Sequence, residues 1–158
     1  MSQPLTGAIT SEHRYDLPIG ADAVWELISD VGAYRSWWSW LRVFDAAAGL
    51  MAGEEWRCEV QPPLPYPVRF GVTMEEVEAP HMIRARVSGD VVGTATLHLE
   101  EVEAGCVAIL SSSLAPGNTT LRVVSRLAAP IARFGHDWVL DSGARQFIAR
   151  AVTPTLTD

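Results

Sequence analysis

Few side chains in this sequence can carry acid–base chemistry near neutral pH. Four histidines, His13, His81, His98 and His136, are the groups whose ordinary titration falls there. His81 lies among turn residues and His98 on a polar strand phase, so neither is placed to work on a ligand. His13 and His136 each belong to an otherwise apolar, inward-facing set, where a neutral imidazole can bond a substrate or act as general acid or base. They are the catalytic candidates, with Tyr15 or Ser112 as orienting hydroxyls. The structural alternative is a buried histidine bonded to a backbone carbonyl or to Asp137.

Other chemistries are excluded by residue type. The histidines show no HExxH or other metal-ligand spacing, and no carboxylate pair falls in register with them, so no metal site is expected. All 12 basic residues are arginine. A chain without lysine has no phosphate-loop lysine, no lysine Schiff base and no pyridoxal chemistry. No GxSxG elbow, GxGxxG loop or cysteine nucleophile pattern occurs, and no cofactor is expected. Cys58 and Cys106 lack CxxC spacing and read as reduced thiols of a cytoplasmic protein, although their spacing leaves a disulfide open.

The elements that must position these groups fit one domain. The chain has 158 residues, 48% hydrophobic and 20% charged, which describes a globular unit over residues 1–152 with a flexible tail at 153–158. Its 19 acidic residues against 12 basic ones leave a net charge of -7, the wrong sign for a nucleic-acid partner. No apolar run approaches the roughly 18 residues of a membrane span, so no stable membrane insertion is expected. Met1 to His13 has no basic region followed by an apolar stretch, and no targeting segment is expected.

Alternation from Ile9 to Leu17 predicts a half-buried strand with His13 and Tyr15 on its apolar face. Val24, Trp25, Leu27, Ile28 and Val31 then recur at helical spacing, Asp22 favours the helix start, and Gly32 separates a second short helix around Ala33 to Trp38. Strands follow in series. Trp56, Cys58 and Val60 oppose Glu55, Arg57 and Glu59; Val68, Phe70, Val72 and Met74 oppose Arg69, Thr73 and Glu75; Ala95, Leu97 and Leu99 oppose Thr96, His98 and Glu100. Such one-sided strands make an antiparallel sheet covered on one face. The acidic groups near strand ends, Glu100, Glu101 and Glu103 among them, read as solvated surface.

From about Thr119 to Val152 the pattern is one long helix, bent near Pro130. Arg133, Asp137, Asp141 and Arg145 fall on one side of it, while His136, Val139, Leu140, Gly143 and Phe147 fall opposite and are expected to face the sheet, with Gly143 allowing close approach.

One strand, two short helices, a run of antiparallel strands and a long C-terminal helix is the order of a helix-grip fold, of class α+β. The segment Ala23-Val24-Trp25-Glu26-Leu27-Ile28-Ser29-Asp30 with Tyr34 and Trp37-Trp38 resembles the opening of the START-related superfamily of polyketide cyclases, dehydrases and lipid-transfer proteins (SRPBCC). Pro63-Leu64-Pro65-Tyr66, Ala85-Arg86-Val87-Ser88-Gly89-Asp90 with Gly93, and His136-Asp137 with Gly143 are similar to one bacterial branch of it. The resemblance runs from Ile9 to Val152.

It implies a curved sheet wrapped around the long helix, with a cavity between them for an apolar or aromatic small molecule. The strand residues expected to line that cavity are Tyr15, Trp56, Phe70, Val72, Leu97, Leu110 and Ser112. The helix adds His136 and Leu140, and Trp38 stands at the entrance. Branch members carry aromatic residues where this chain has Leu97 and Ser112, which implies a wider cavity. The strand arginine of polyketide aromatase/cyclases has no match in Ser111-Ser112-Ser113, which weighs against that chemistry. The function expected is binding of a hydrophobic small molecule, polyketide-like, aromatic or lipid. The alternative is a cyclase/dehydrase-type enzyme with a cavity histidine as general acid/base.

Two surface expectations complete the reading. Trp37, Trp38 and Trp40 are three large rings within four residues, too many for one core, so at least one should gate the cavity or face solvent. Leu127, Ile131, Phe134 and Trp138 form an apolar stripe on the charged side of the long helix. Either the sheet curls far enough to cover the stripe, or two copies pair through it as a homodimer, with membrane docking the weaker alternative for an acidic chain whose helix lacks a basic face.

Overall fold

The structure, a computed structural model, describes residues 8–46, 49–62, 67–118 and 129–152, with side chains over 137–149 in the last segment. The elements run β1 (Ile9–Leu17), α1 (Ala21–Ser29), a 3-10 turn (Val31–Ala33), α2 (Tyr34–Trp37), β2 (Leu41–Asp45), β3 (Glu55–Val60), β4 (Val68–Glu78), β5 (Met82–Gly89), β6 (Val91–Val102), β7 (Gly105–Pro116) and α3 (Ala129–Val152).

Successive strands from β2 to β7 pair as antiparallel hairpins, and β1 returns to pair with β7. The seven-stranded order is therefore β1-β7-β6-β5-β4-β3-β2, with β1 and β2 at its edges. Alternation sets the faces: in β3, Trp56, Cys58 and Val60 are buried between exposed or half-buried charged neighbours. In β1 every second residue from Ile9 turns inward, ending on buried Leu17. The sheet curls around α3, the α+β helix-grip arrangement. Among the described residues no helix is long and apolar enough to cross a membrane.

Gly93 shows how tightly the strands pack. Its φ is +150°, and a Cβ there would overlap the Ser113 carbonyl of β7.

Apolar burial gathers in two clusters. One joins Leu17, Ala21, Val24, Leu99, Cys106, Ala108 and Phe147; the other joins Tyr34, Leu41, Trp56, Cys58, Val60, Met74 and Ala85. Cys58 and Cys106 sit in different clusters as free thiols, which settles the disulfide left open by their spacing.

Several expectations need correction. Glu101 is exposed as expected, but it has a second role: its Oε1 accepts a 2.6 Å hydrogen bond from the Ala21 backbone N–H. Gly20, the residue before α1, has no side chain to cap the helix, so a carboxylate from the end of β6 satisfies the first N–H and meets the positive end of the helix dipole. Of the two roles expected for one of Trp37, Trp38 and Trp40, facing solvent does not hold, since all three are half-buried. They fit because two clusters are available: Trp37 and Trp38 border both and Trp40 borders the second.

The charged side of α3 does not simply face away from the sheet. Asp137 and Asp141 meet His13 and Tyr15, because curling carries edge strand β1 to that flank of the helix. The stretch 119–128, expected to begin the long helix, lies outside the described residues, as does the tail at 153–158.

Candidate functional site

Residues directly opposite in an antiparallel ladder share a face. His13 pairs with Leu110, Leu110 with Leu97, and Leu97 with Ile83, which makes one row across the inner face. Next to it run Ser11, Ser112, Ala95 and Ala85. A third row carries Gly93, Val87, Val72 and Trp56. Short side chains thus occupy the middle of the sheet, flanked by larger apolar ones.

The register therefore brings Tyr15, Trp56, Phe70, Val72, Leu97, Leu110 and Ser112 to the concave face. Their surroundings differ. Phe70, Val72, Leu97 and Leu110 are half-buried although they point inward. Trp56 is buried as a core residue, edge-on to Tyr34 and Phe44, with Nε1 donating to the Gly49 carbonyl at 2.9 Å. Ser112 is buried and its hydroxyl lies 3.0 Å from that of Ser11. Leu140 is half-buried on α3, and the side chain of His136 lies outside those described.

Aromatic rings join α3 to the rest of the domain. Trp38 Nε1 donates to the Gly143 carbonyl at 3.0 Å and Trp40 Nε1 to Gln146 Oε1 at 3.1 Å. A Cβ on Gly143 would stand 3.3 Å from Trp40 Cζ2 and 3.8 Å from Trp38 Nε1. The glycine thus makes room for indole rings, where close approach to the sheet was expected. Trp37 packs edge-on to Phe147 at 5.7 Å between centroids, and Trp40 meets Trp138 at 6.5 Å. Trp138, the last member of the apolar stripe, has its own chain against it. Leu127 lies outside the described residues, and the side chains of Ile131 and Phe134 outside those described.

The polar part of the site lies where β1 meets α3. His13 Nε2 is 3.4 Å from Asp137 Oδ1, and His13 Nδ1 is 3.6 Å from Asp141 Oδ1. The His13 ring stacks on that of Tyr15 at 6.1 Å, and the Tyr15 hydroxyl donates to Asp141 Oδ1 at 3.1 Å. Partial burial, the Asp141 hydrogen bond and the charges of Asp141 and Asp137 all raise the Tyr15 hydroxyl above its ordinary range, so at neutral pH it remains a donor.

Around this cluster, a groove of about 540 Å³ is lined by Tyr15 together with Asp137, Trp138, Asp141, Ala144, Arg145 and Ile148. The helix residues of the groove were missed as ligand contacts. Their only sequence signal is i, i+4 spacing, with Asp137, Asp141 and Arg145 on successive turns and Ala144 and Ile148 beside them. Among the described residues no group of His, Cys, Asp and Glu side chains could hold a metal ion.

Comparison with known proteins agrees with this architecture. Residues 8–152 match the family described as polyketide cyclase / dehydrase and lipid transport. The Zhui aromatase/cyclase from Streptomyces sp. R1128 superposes with a TM-score of 0.75 at 13% identity, over 91% of this chain and 93% of that one. Ara h 8.0201 has a TM-score of 0.65 at 8% identity, over 94% and 100%. A norcoclaurine synthase from Thalictrum flavum has a TM-score of 0.60 at 14% identity, over 90% and 96%. No curated protein matches the chain. At these identities the structural likenesses establish the fold. The family match extends from the start of β1 to the end of α3, and the chain belongs to the polyketide cyclase/dehydrase and lipid transport family.

Proposed function

We propose that this is a cytoplasmic protein that binds a hydrophobic, ring-containing or acyl small molecule between the concave sheet face and α3. The observation that carries this reading is the incomplete cover over Phe70, Val72, Leu97 and Leu110. These residues point inward yet stay half-buried, while fully buried clusters lie on either side of them. Apolar surface left uncovered on a concave face is stabilised when a ligand removes it from water, at about 25 cal/mol per Å². The family match supports the same reading, since its description includes lipid transport.

Native mass spectrometry of freshly purified protein, with tryptophan-fluorescence titration against flavonoids, polyketide mimics and fatty acids, tests it. A bound species or saturable quenching is expected, and Leu97→Trp, which fills the middle of the face, should abolish it. A panel without any binding refutes the reading.

An enzymatic reading of the cyclase/dehydrase type is favoured by one observation, the placement of His13 beside Asp137, Asp141 and the Tyr15 hydroxyl. A carboxylate-oriented imidazole next to a phenol is a workable acid–base set. Loss of a general acid or base costs about 10² to 10⁴ in rate. His13→Ala and His136→Ala variants that bind ligand and keep full turnover would end this reading.

Pairing of two copies through the stripe of Leu127, Ile131, Phe134 and Trp138 belongs to the same proposal. Sedimentation at micromolar concentration should then give a dimer that Phe134→Asp converts to a folded monomer, and a wild-type chain that stays monomeric at high concentration removes it.

A further inference from the structure

The groove between β1 and α3 has the size of a small-molecule site, about 540 Å³. Its walls are of two kinds. Trp138, Ala144 and Ile148 offer apolar and aromatic surface, and Asp137 and Asp141 stand one helical turn apart beside it. The Asp137 side chain is 38% exposed and that of Asp141 55%, so both carboxylates remain open to a ligand.

Their partners among the described residues are few. Among the described residues, Asp141 receives the Tyr15 hydroxyl, a neutral donor, and the His13 ring lies 3.4 Å from Asp137 and 3.6 Å from Asp141. Among the described residues neither carboxylate pairs with an arginine. Arg145 lines the groove as well, but its guanidinium is engaged by Ser142 Oγ of the same helix at 3.3 Å. Among the described lining residues, two carboxylates stand against one engaged guanidinium, within a chain whose net charge is -7 and which has no lysine.

We infer that the groove takes the cationic head of an organic amine whose ring or hydrocarbon body packs on Trp138, Ala144 and Ile148. An alkylammonium carries three donors and can bridge carboxylates on successive turns, and an indole ring beside it adds a cation–π contact. A fatty acid or other carboxylate-bearing ligand would meet Asp137 and Asp141 as like charges. Tyr15 belongs both to this groove and to the concave face, so the inference rests on the ligand-binding reading above and adds the charge of the ligand's head.

The test is isothermal titration calorimetry of the intact chain at neutral pH with tryptamine, indolepropionate and phenylnaphthylamine, which place a cation, an anion and no charge on an aromatic body. Tryptamine should bind at least about tenfold more tightly than indolepropionate, the effect of one charge-assisted hydrogen bond. Asp137→Asn and Asp141→Asn should each weaken tryptamine by about fivefold or more, on the same scale, and leave phenylnaphthylamine unchanged. If one variant does not fold, the other and the wild-type comparison decide. Equal affinity for tryptamine and indolepropionate, or tryptamine binding indifferent to the asparagine changes, overturns the inference. Should phenylnaphthylamine still bind in that case, the hydrophobic-ligand reading survives alone; if none of the three binds, both fall.

Discussion

The Tyr15 hydroxyl donates to Asp141 Oδ1 at 3.1 Å, joining the first strand to the last helix across 126 residues of sequence. This bond and the neighbouring His13 contacts hold the edge of a curled sheet against the flank of the helix it encloses. Tyr15→Phe keeps the ring stacked on His13 and removes only the bond. It should lower stability by about 1 kcal/mol in urea denaturation at neutral pH. An unchanged midpoint would mean that the bond does not fasten the seam.

A pH effect follows from Cys58. Burial pushes its thiol from about 9 up to about 12. Between those values the folded chain keeps a proton that the unfolded chain releases, so stability is fully present below about 9 and falls as pH rises toward 12. The slope from this group is about 1.4 kcal/mol per pH unit in that window. Tyr34, raised in the same direction by burial, adds to the alkaline loss. Cys58→Ala should flatten the alkaline limb of a stability-against-pH curve relative to wild type while leaving part of it, and an identical limb in both proteins would contradict this.

Gly143→Ala tests whether the indole rings can yield. Helix propensity alone favours alanine by about 1 kcal/mol. The added Cβ would press on Trp40 at 3.3 Å, and Trp40 is held by Gln146 and stacked on Trp38. Overpacking of this kind costs about 1–3 kcal/mol, so a net loss of about 1 kcal/mol is expected, with a shift in tryptophan emission. A raised thermal midpoint would show that the rings give way freely.

Glu101→Gln should cost about 0.5–1 kcal/mol through weaker capping of α1, and the difference from wild type should shrink in high salt as the charge–dipole part is screened. Thermal denaturation at low and high ionic strength measures both. Equal stability of the two proteins at low salt would remove Glu101 from the cap.

Much of the fold was legible because an antiparallel sheet covered on one face writes its register into alternate residues. Ile9 to Leu17, Trp56 to Val60 and Ala95 to Leu99 each show which side turns inward, and the ladder then sets Leu97, Leu110 and His13 in one row. The paired short helices were equally plain from helical spacing and Gly32. Local periodicity depends only on neighbours along the chain, and these features need nothing more.

The polar seam was not legible, because it depends on how far the sheet curls. Read by itself, α3 has a charged flank with Asp137 and Asp141 and an apolar flank with Phe147, and the charged one reads as solvent-facing. Curvature accumulates over seven strands and brings β1 round to that flank, so that His13 and Tyr15 meet the carboxylates. The tryptophans followed the same logic: composition showed that Trp37, Trp38 and Trp40 overfill one core, but only the packing revealed a second cluster to receive them. Periodicity along the chain shows which face of each strand and helix seeks cover. Which faces meet was decided by tertiary structure, because the twist and curl that bring β1 to α3 are summed over many residue pairs and appear at no single position.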